Sequence, residues 1–214
     1  MAQITDQASL ISEVATRINR VDFDATAAAL PIKMAILQIT RDATNRGAFI
    51  GKETTVTGTL TTNVETLALP AGLQSIRVIE LLAPYATKLR VEPVDTFIEY
   101  FSDIIQGVPE RYAVFGSNII FNPTPISNFA YRMRYIATPD VAYLTANHPD
   151  LIFYATLLQA TDNVRDSEAV QKYAAAYQTA LEAAMLNENR KRTGHMPPQL
   201  PTNNYRRFNI LAGR

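Results

Sequence analysis

The side chains able to do acid–base or nucleophilic chemistry in this 214-residue chain are few. There is no cysteine, which excludes a thiolate nucleophile, a disulfide framework and any zinc site built on sulfur. His148 and His195 are the only two histidines, too few for a multi-histidine metal centre. The G-x-S-x-G turn that raises a serine nucleophile is missing. His195 sits beside Pro197, Pro198 and Pro201, a poor setting for a preorganised base, and His148 precedes Pro149-Asp150 and reads as a helix-start residue. The carboxylate pairs Glu99/Asp103 and Asp162/Asp166 are spaced i,i+4, so each would share a helix face and could serve acid–base or metal chemistry. Neither has a neighbouring histidine or a glycine-rich substrate loop, and both read as solvated faces. Gly47-x-x-x-Gly51-Lys52 falls short of the P-loop spacing and follows a helix rather than a strand, so it reads as a loop. These residues specify no enzyme, no metal and no cofactor.

Charge tells more. None of the 20 acidic residues and six of the 20 basic ones follow Glu188, so residues 1–188 carry a net −6 and residues 189–214 a net +6. The basic segment holds Arg190, Lys191 and Arg192, then Tyr205, Arg206, Arg207, Phe208, Ile210 and Leu211. One reading is a nucleic-acid arm, with arginines on phosphates and aromatics stacked on bases. The other is a peptide that threads onto a protein, its arginines pairing with carboxylates and its aromatic and aliphatic side chains acting as anchors. The acidic body would repel a duplex lying along it, which favours the protein partner. Clustered prolines and like charge predict that the free segment stays unfolded and orders on binding.

The elements that must position these residues follow from periodicity. Asp6 caps a first helix in which Leu10, Ile11, Val14, Ile18 and Val21 share one face. Asp22 and Asp24 introduce a second helical stretch, and Pro31 predicts a division into a short helix near 24–29 and a longer one to about Arg46. Ile32, Ile36, Ile39 and Ala43 form the stripe of the latter, and Gly47 is its natural stop. From Thr54 to Tyr135 the pattern alternates. Gly116-Ser117 reads as a type II′ hairpin turn, Phe129–Ile136 alternates apolar residues with Arg132 and Arg134, and Pro93 opens a short helix carrying Val94, Phe97, Ile98 and Phe101 on one face.

Helix returns after Asn147 with an apolar segment led by Pro149, followed by a long alanine-rich helix capped by Ser167. The small-residue face of that helix, centred on Ala176 and Ala180, reads as a contact between copies of the chain, against the alternative that alanines merely favour helix. The predicted class is α+β: a helical bundle (residues 1–53 and 139–188) with a small antiparallel β-domain inserted at 54–138 and an extended basic arm at 189–214. The N-terminus lacks the basic start and apolar block of a signal peptide, and no run approaches a membrane span. The expectation is a soluble protein that meets no membrane.

The order of segments resembles that of the head-to-tail adaptor (connector, or neck) proteins of tailed bacteriophages. The likeness rests on P-A-G-L-x-x-I-R-V at 70–78, V-P-E-R-Y-A-V-F-G at 108–116, N-I-I-F-N-P-T-P at 118–125 and N-H-P-D-L-I-F-Y-A-T-L-L-Q-A at 147–160. It covers residues 1–188 and is looser beyond. The resemblance implies a non-enzymatic virion protein, made in the host cytoplasm. A ring of it, commonly of twelve copies, would join the portal protein to tail or nozzle proteins and let DNA pass through the lumen without sequence-specific binding. Residues 189–214 would reach the portal. Some short-tailed phage adaptors are linked to cell-wall hydrolysis, but no residue here carries that activity over.

Overall fold

The computed structural model describes residues 4–82, 84, 86–101, 105–161 and 167–193. Helix α1 (Gln7–Ile18) starts from a capping box in which Asp6 Oδ1 accepts from the Ser9 N–H at 2.8 Å and Ser9 Oγ accepts from the Asp6 N–H at 3.0 Å. Leu10 and Val14 are buried and Ile11 and Ile18 pack beside them. The helix ends at Asn19, so Val21 lies beyond it and is exposed rather than part of the stripe.

Helix α2 (Ala25–Asn45) is continuous through Pro31, not divided there. Asp24 Oδ1 caps it by accepting from the N–H groups of Thr26 and Ala27, each at 2.9 Å. Ala28, Ile32, Ala35, Ile39 and Ala43 form one buried face. Burying Ile32 and Ile39 alone gains about 3–6 kcal/mol, against roughly 3 kcal/mol for a mid-helix proline. A break at Pro31 would take Ala28 out of line with that face, so packing overrides the local preference. The helix ends in bonds from Gly47 N–H to the Thr44 carbonyl and from Ala48 N–H to the Ala43 carbonyl.

A further helix, α4 (Val141–Asn147), precedes the one expected after Asn147; Asp140 Oδ1 caps it by accepting from the Tyr143 N–H at 2.6 Å. Helix α5 (Pro149–Thr161) is apolar all round, and Leu151, Ile152, Phe153, Ala155 and Leu157 are all buried. It is therefore the centre of the bundle. Helices α1, α2, α4 and α6 (Ser167–Thr193) surround it. The core row of α6 is Tyr177, Leu181 and Ala184. Tyr177 donates to Asp42 Oδ2 at 2.9 Å, and burial, then this bond, hold its hydroxyl well above the usual phenol range. Arg46 adds a hydrogen bond to Gln178 and an ion pair with Glu182 at 3.6 Å.

Between α2 and α4, among the described residues, lie nine strands and one helix. Strands β1 (Lys52–Leu60), β3 (Leu73–Leu81) and β9 (Phe129–Ala137) form a sheet in the order β1-β9-β3. Strands β2 (Thr66–Ala68), β4 (Arg90–Val91), β6 (Arg111–Phe115) and β7 (Asn118–Asn122) form a second in the order β2-β7-β6-β4. Strands β5 (Gln106–Gly107) and β8 (Thr124–Pro125) pair separately. Pairing is antiparallel except for β4–β6 and β5–β8. Gly116 has φ 59°, as the first central residue of a type II′ turn requires, and joins β6 to β7.

Phe129, Tyr131, Met133 and Tyr135 of β9 point into a core shared with Ile79, Leu81, Ile119 and Phe121. On the other face Arg132 and Arg134 converge on Glu80 at 2.6 and 3.8 Å. Helix α3 (Val94–Phe101) lays Phe97 against this region, but Ile98 is exposed rather than on the buried face. It is one residue, about 100° of helix, away from Phe97. Among the described residues two separate cores result, one among residues 4–50 and 141–185 and one among 56–137.

The strands leave and rejoin the bundle at one point. β1 and β9 pair without a shift from Lys52↔Ala137 to Leu60↔Phe129. Just before that rung, a Cβ on Gly51 would lie 2.1 Å from the Ala137 carbonyl oxygen, so only glycine allows the approach.

Candidate functional site

The corner between α4 and α5 brings together a group of polar side chains at the root of the basic segment. His148 ends α4 and is buried. Its Nε2 lies 3.0 Å from Oε1 of Glu188, which is buried on the facing side of α6. The same oxygen accepts from the Tyr143 hydroxyl at 2.9 Å and from Lys191 Nζ at 3.0 Å. Lys191 Nζ reaches on to Asn147 Oδ1 at 3.1 Å, and Asn147 Nδ2 donates to the Tyr143 carbonyl at 2.9 Å.

Burial alone would raise the Glu188 carboxyl. The hydrogen bonds from His148, Lys191 and Tyr143, with the Lys191 charge, outweigh it and bring the group down to about 2. A carboxyl held there is ionised throughout the neutral range, whereas a general acid or base works best with a pKa near the working pH. The arrangement is a latch: it pins the last turns of α6 to the α4–α5 corner. His148 is therefore not simply a helix-start residue but half of a buried pair. Tyr143, Asn147 and Glu188 were not anticipated from sequence; the i,i+3 spacing of Glu188 and Lys191 was the available hint.

The other expected residues scatter. Arg190 is exposed on α6, which continues to Thr193, so the first residues of the basic segment are helical and not extended. The Arg192 side chain, His195, Tyr205, Arg206, Arg207, Phe208, Ile210 and Leu211 lie outside the described residues, as do Asp103, Asp162 and Asp166. Glu99 is exposed on α3. Gly47 and Gly51 lie in the α2–β1 connection and Lys52 opens β1. Ala180 packs against the bundle core, while Ala176 lines an open groove with Arg17 of α1, Tyr154 of α5, and Glu168, Lys172 and Tyr173 of α6. Among the described residues no group of three or more histidine, aspartate or glutamate side chains is placed to hold a metal ion. Among the same residues no helix is long and apolar enough to cross a membrane.

No characterised protein matches the chain. The model of the SU10 adaptor protein family matches residues 5–201, which takes in the bundle, both sheets, the latch and the first part of the basic segment. With nearly the whole chain matched, the protein belongs to the SU10 adaptor family and is a phage head–tail adaptor.

Proposed function

We propose that the protein is a structural, non-enzymatic component of the virion neck. A ring of copies, twelve on the family pattern, would join the portal to the tail or nozzle and enclose the path of the DNA. The observation that carries this reading is the extent of the family match, which spans both cores as well as the start of the basic segment. Residues 1–53 and 139–188 act as the bundle, 54–138 as the inserted β-domain, and 189–214 as the arm that engages the portal through Arg190, Lys191, Arg192, Tyr205, Arg206, Arg207, Phe208, Ile210 and Leu211. The latch fits this assignment, because it holds α6 to the bundle at Glu188 and Lys191, where the basic segment starts.

Native mass spectrometry of the protein mixed with its portal tests the reading. The expected species is a portal ring carrying a full complement of this chain. Two monomeric species that never associate would overturn it. A salt-dependent shift of DNA by the protein alone, lost when the arm is deleted, would favour the nucleic-acid arm instead.

Copies would also touch near the α6 groove. Ala176 is available there, whereas bulk at Ala180 would act on the fold of its own chain. Ala176→Arg is expected to weaken self-association roughly tenfold, about 1.4 kcal/mol, with an unchanged thermal midpoint. Sedimentation velocity over a concentration series measures this, and native-like assembly would remove Ala176 from the contact.

A further inference from the structure

An exposed apolar stripe on α2 and an exposed face of α3 carry opposite charge. On α2, Leu30, Met34 and Leu37 are 66%, 45% and 52% exposed, and they share an outward face with the exposed Lys33 and Arg41. The spacing i, i+3, i+4, i+7, i+11 makes this one continuous stripe. It borders a groove of about 390 Å³ whose walls include Phe23, Leu30, Pro31 and Met34. The opposite face of α2 is spent on the bundle core, so nothing within the described fold covers the stripe. On α3, Ile98 is 53% exposed, with the exposed Asp95 one turn before it and the exposed Glu99 next to it. The inward residue of α3 is Phe97, already buried. Single exposed aliphatic residues are ordinary, but large ones grouped on one helix face beside a groove mark an interaction surface.

We infer that the α2 stripe of one copy receives the α3 patch of the next, with Lys33 and Arg41 facing Asp95 and Glu99. The inference rests on the self-assembly proposed above and names the surfaces that make it. Charge selects the occupant. Two α2 stripes face to face would set Lys33 and Arg41 against their own kind, and two α3 patches would do the same with carboxylates. Self-pairing across a two-fold axis is thus disfavoured, and each surface complements the other. A contact between two different patches is head-to-tail, the kind that closes into a ring when the rotation per copy allows. The apolar centres anchor the contact, and the charged rims set its register and reject the two-fold alternative.

The test uses two full-length variants, Lys33→Glu/Arg41→Glu and Asp95→Lys/Glu99→Lys, examined by native mass spectrometry alone and mixed in equal amounts. Each alone would meet like charge at every contact, and its assembled fraction is expected to fall at least tenfold below the native chain. Mixed, every contact is again complementary, and assemblies with alternating copies are expected to return. Recovery on mixing also shows that both variants are folded. Native-like assembly by either variant alone, or no recovery on mixing, overturns the inference. In the first case the native chain still forms rings and the proposed function stands. A native chain that stays monomeric both alone and with the portal removes both.

Discussion

Replacing Glu188 with alanine is expected to lower the unfolding free energy by about 3 kcal/mol in urea titrations. The substitution leaves His148 buried without the Glu188 carboxylate, removes the bond from the Tyr143 hydroxyl to it and frees Lys191 from the α6 side of the latch. Glu188→Gln keeps an acceptor oxygen but loses the charge, so it should cost less, about 1 kcal/mol. The pH dependence has a definite sign. With the carboxyl lowered from 4.5 to about 2, the latch contributes fully above pH 4.5 and loses its contribution as pH falls from there towards 2. The native chain should therefore lose stability through that window more steeply than Glu188→Gln, which has no such group to titrate. Parallel pH profiles for the two would show that the carboxylate is not the source of the stability. Hydrogen exchange at the last turns of α6 should rise in Glu188→Ala before the rest of the bundle opens.

Truncation after Thr193 is expected to abolish stable portal attachment while leaving a folded subunit. The cut preserves the latch, because Glu188 and Lys191 remain. The apolar anchors should dominate the loss. Burial of a side chain the size of Phe208 or Ile210 contributes roughly 1.5–3 kcal/mol, whereas an exposed ion pair contributes about 0–1 kcal/mol. Phe208→Ala with Ile210→Ala should weaken attachment about a hundredfold or more, and Arg206→Ala with Arg207→Ala about thirtyfold or less at physiological salt. Co-sedimentation with the portal reads both. Attachment of the truncated chain at the native level would assign the arm another task.

Much of the architecture was legible because burial repeats with the period of the element. The stripes of α1 and α2 and the alternation of β9 each follow from one face meeting a core. The failures have equally specific causes. Helix α4 has seven residues, two turns, too few for a period to emerge, and its signal was the Asp140 cap. Pro31 argues locally for a break, but the face it would disrupt is set by α5, more than a hundred residues away in sequence. The latch was illegible for the same reason: His148 and Glu188 are 40 residues apart, and no spacing rule couples a helix corner to the flank of another helix. Nor could composition separate Ala180, which serves its own core, from Ala176, which lines a groove.

The pinch at Gly51 and Ala137 has a consequence for how such a protein can change. Across an antiparallel rung the two Cα atoms are about 4.5–5.5 Å apart, a gap that about two or three residues bridge. Everything between those positions could be excised and the bundle spliced shut, or another insert with similarly adjacent ends set in its place. The bundle and its latch would keep their geometry through the exchange. One cassette could thus be traded without redrawing the helices on either side of it.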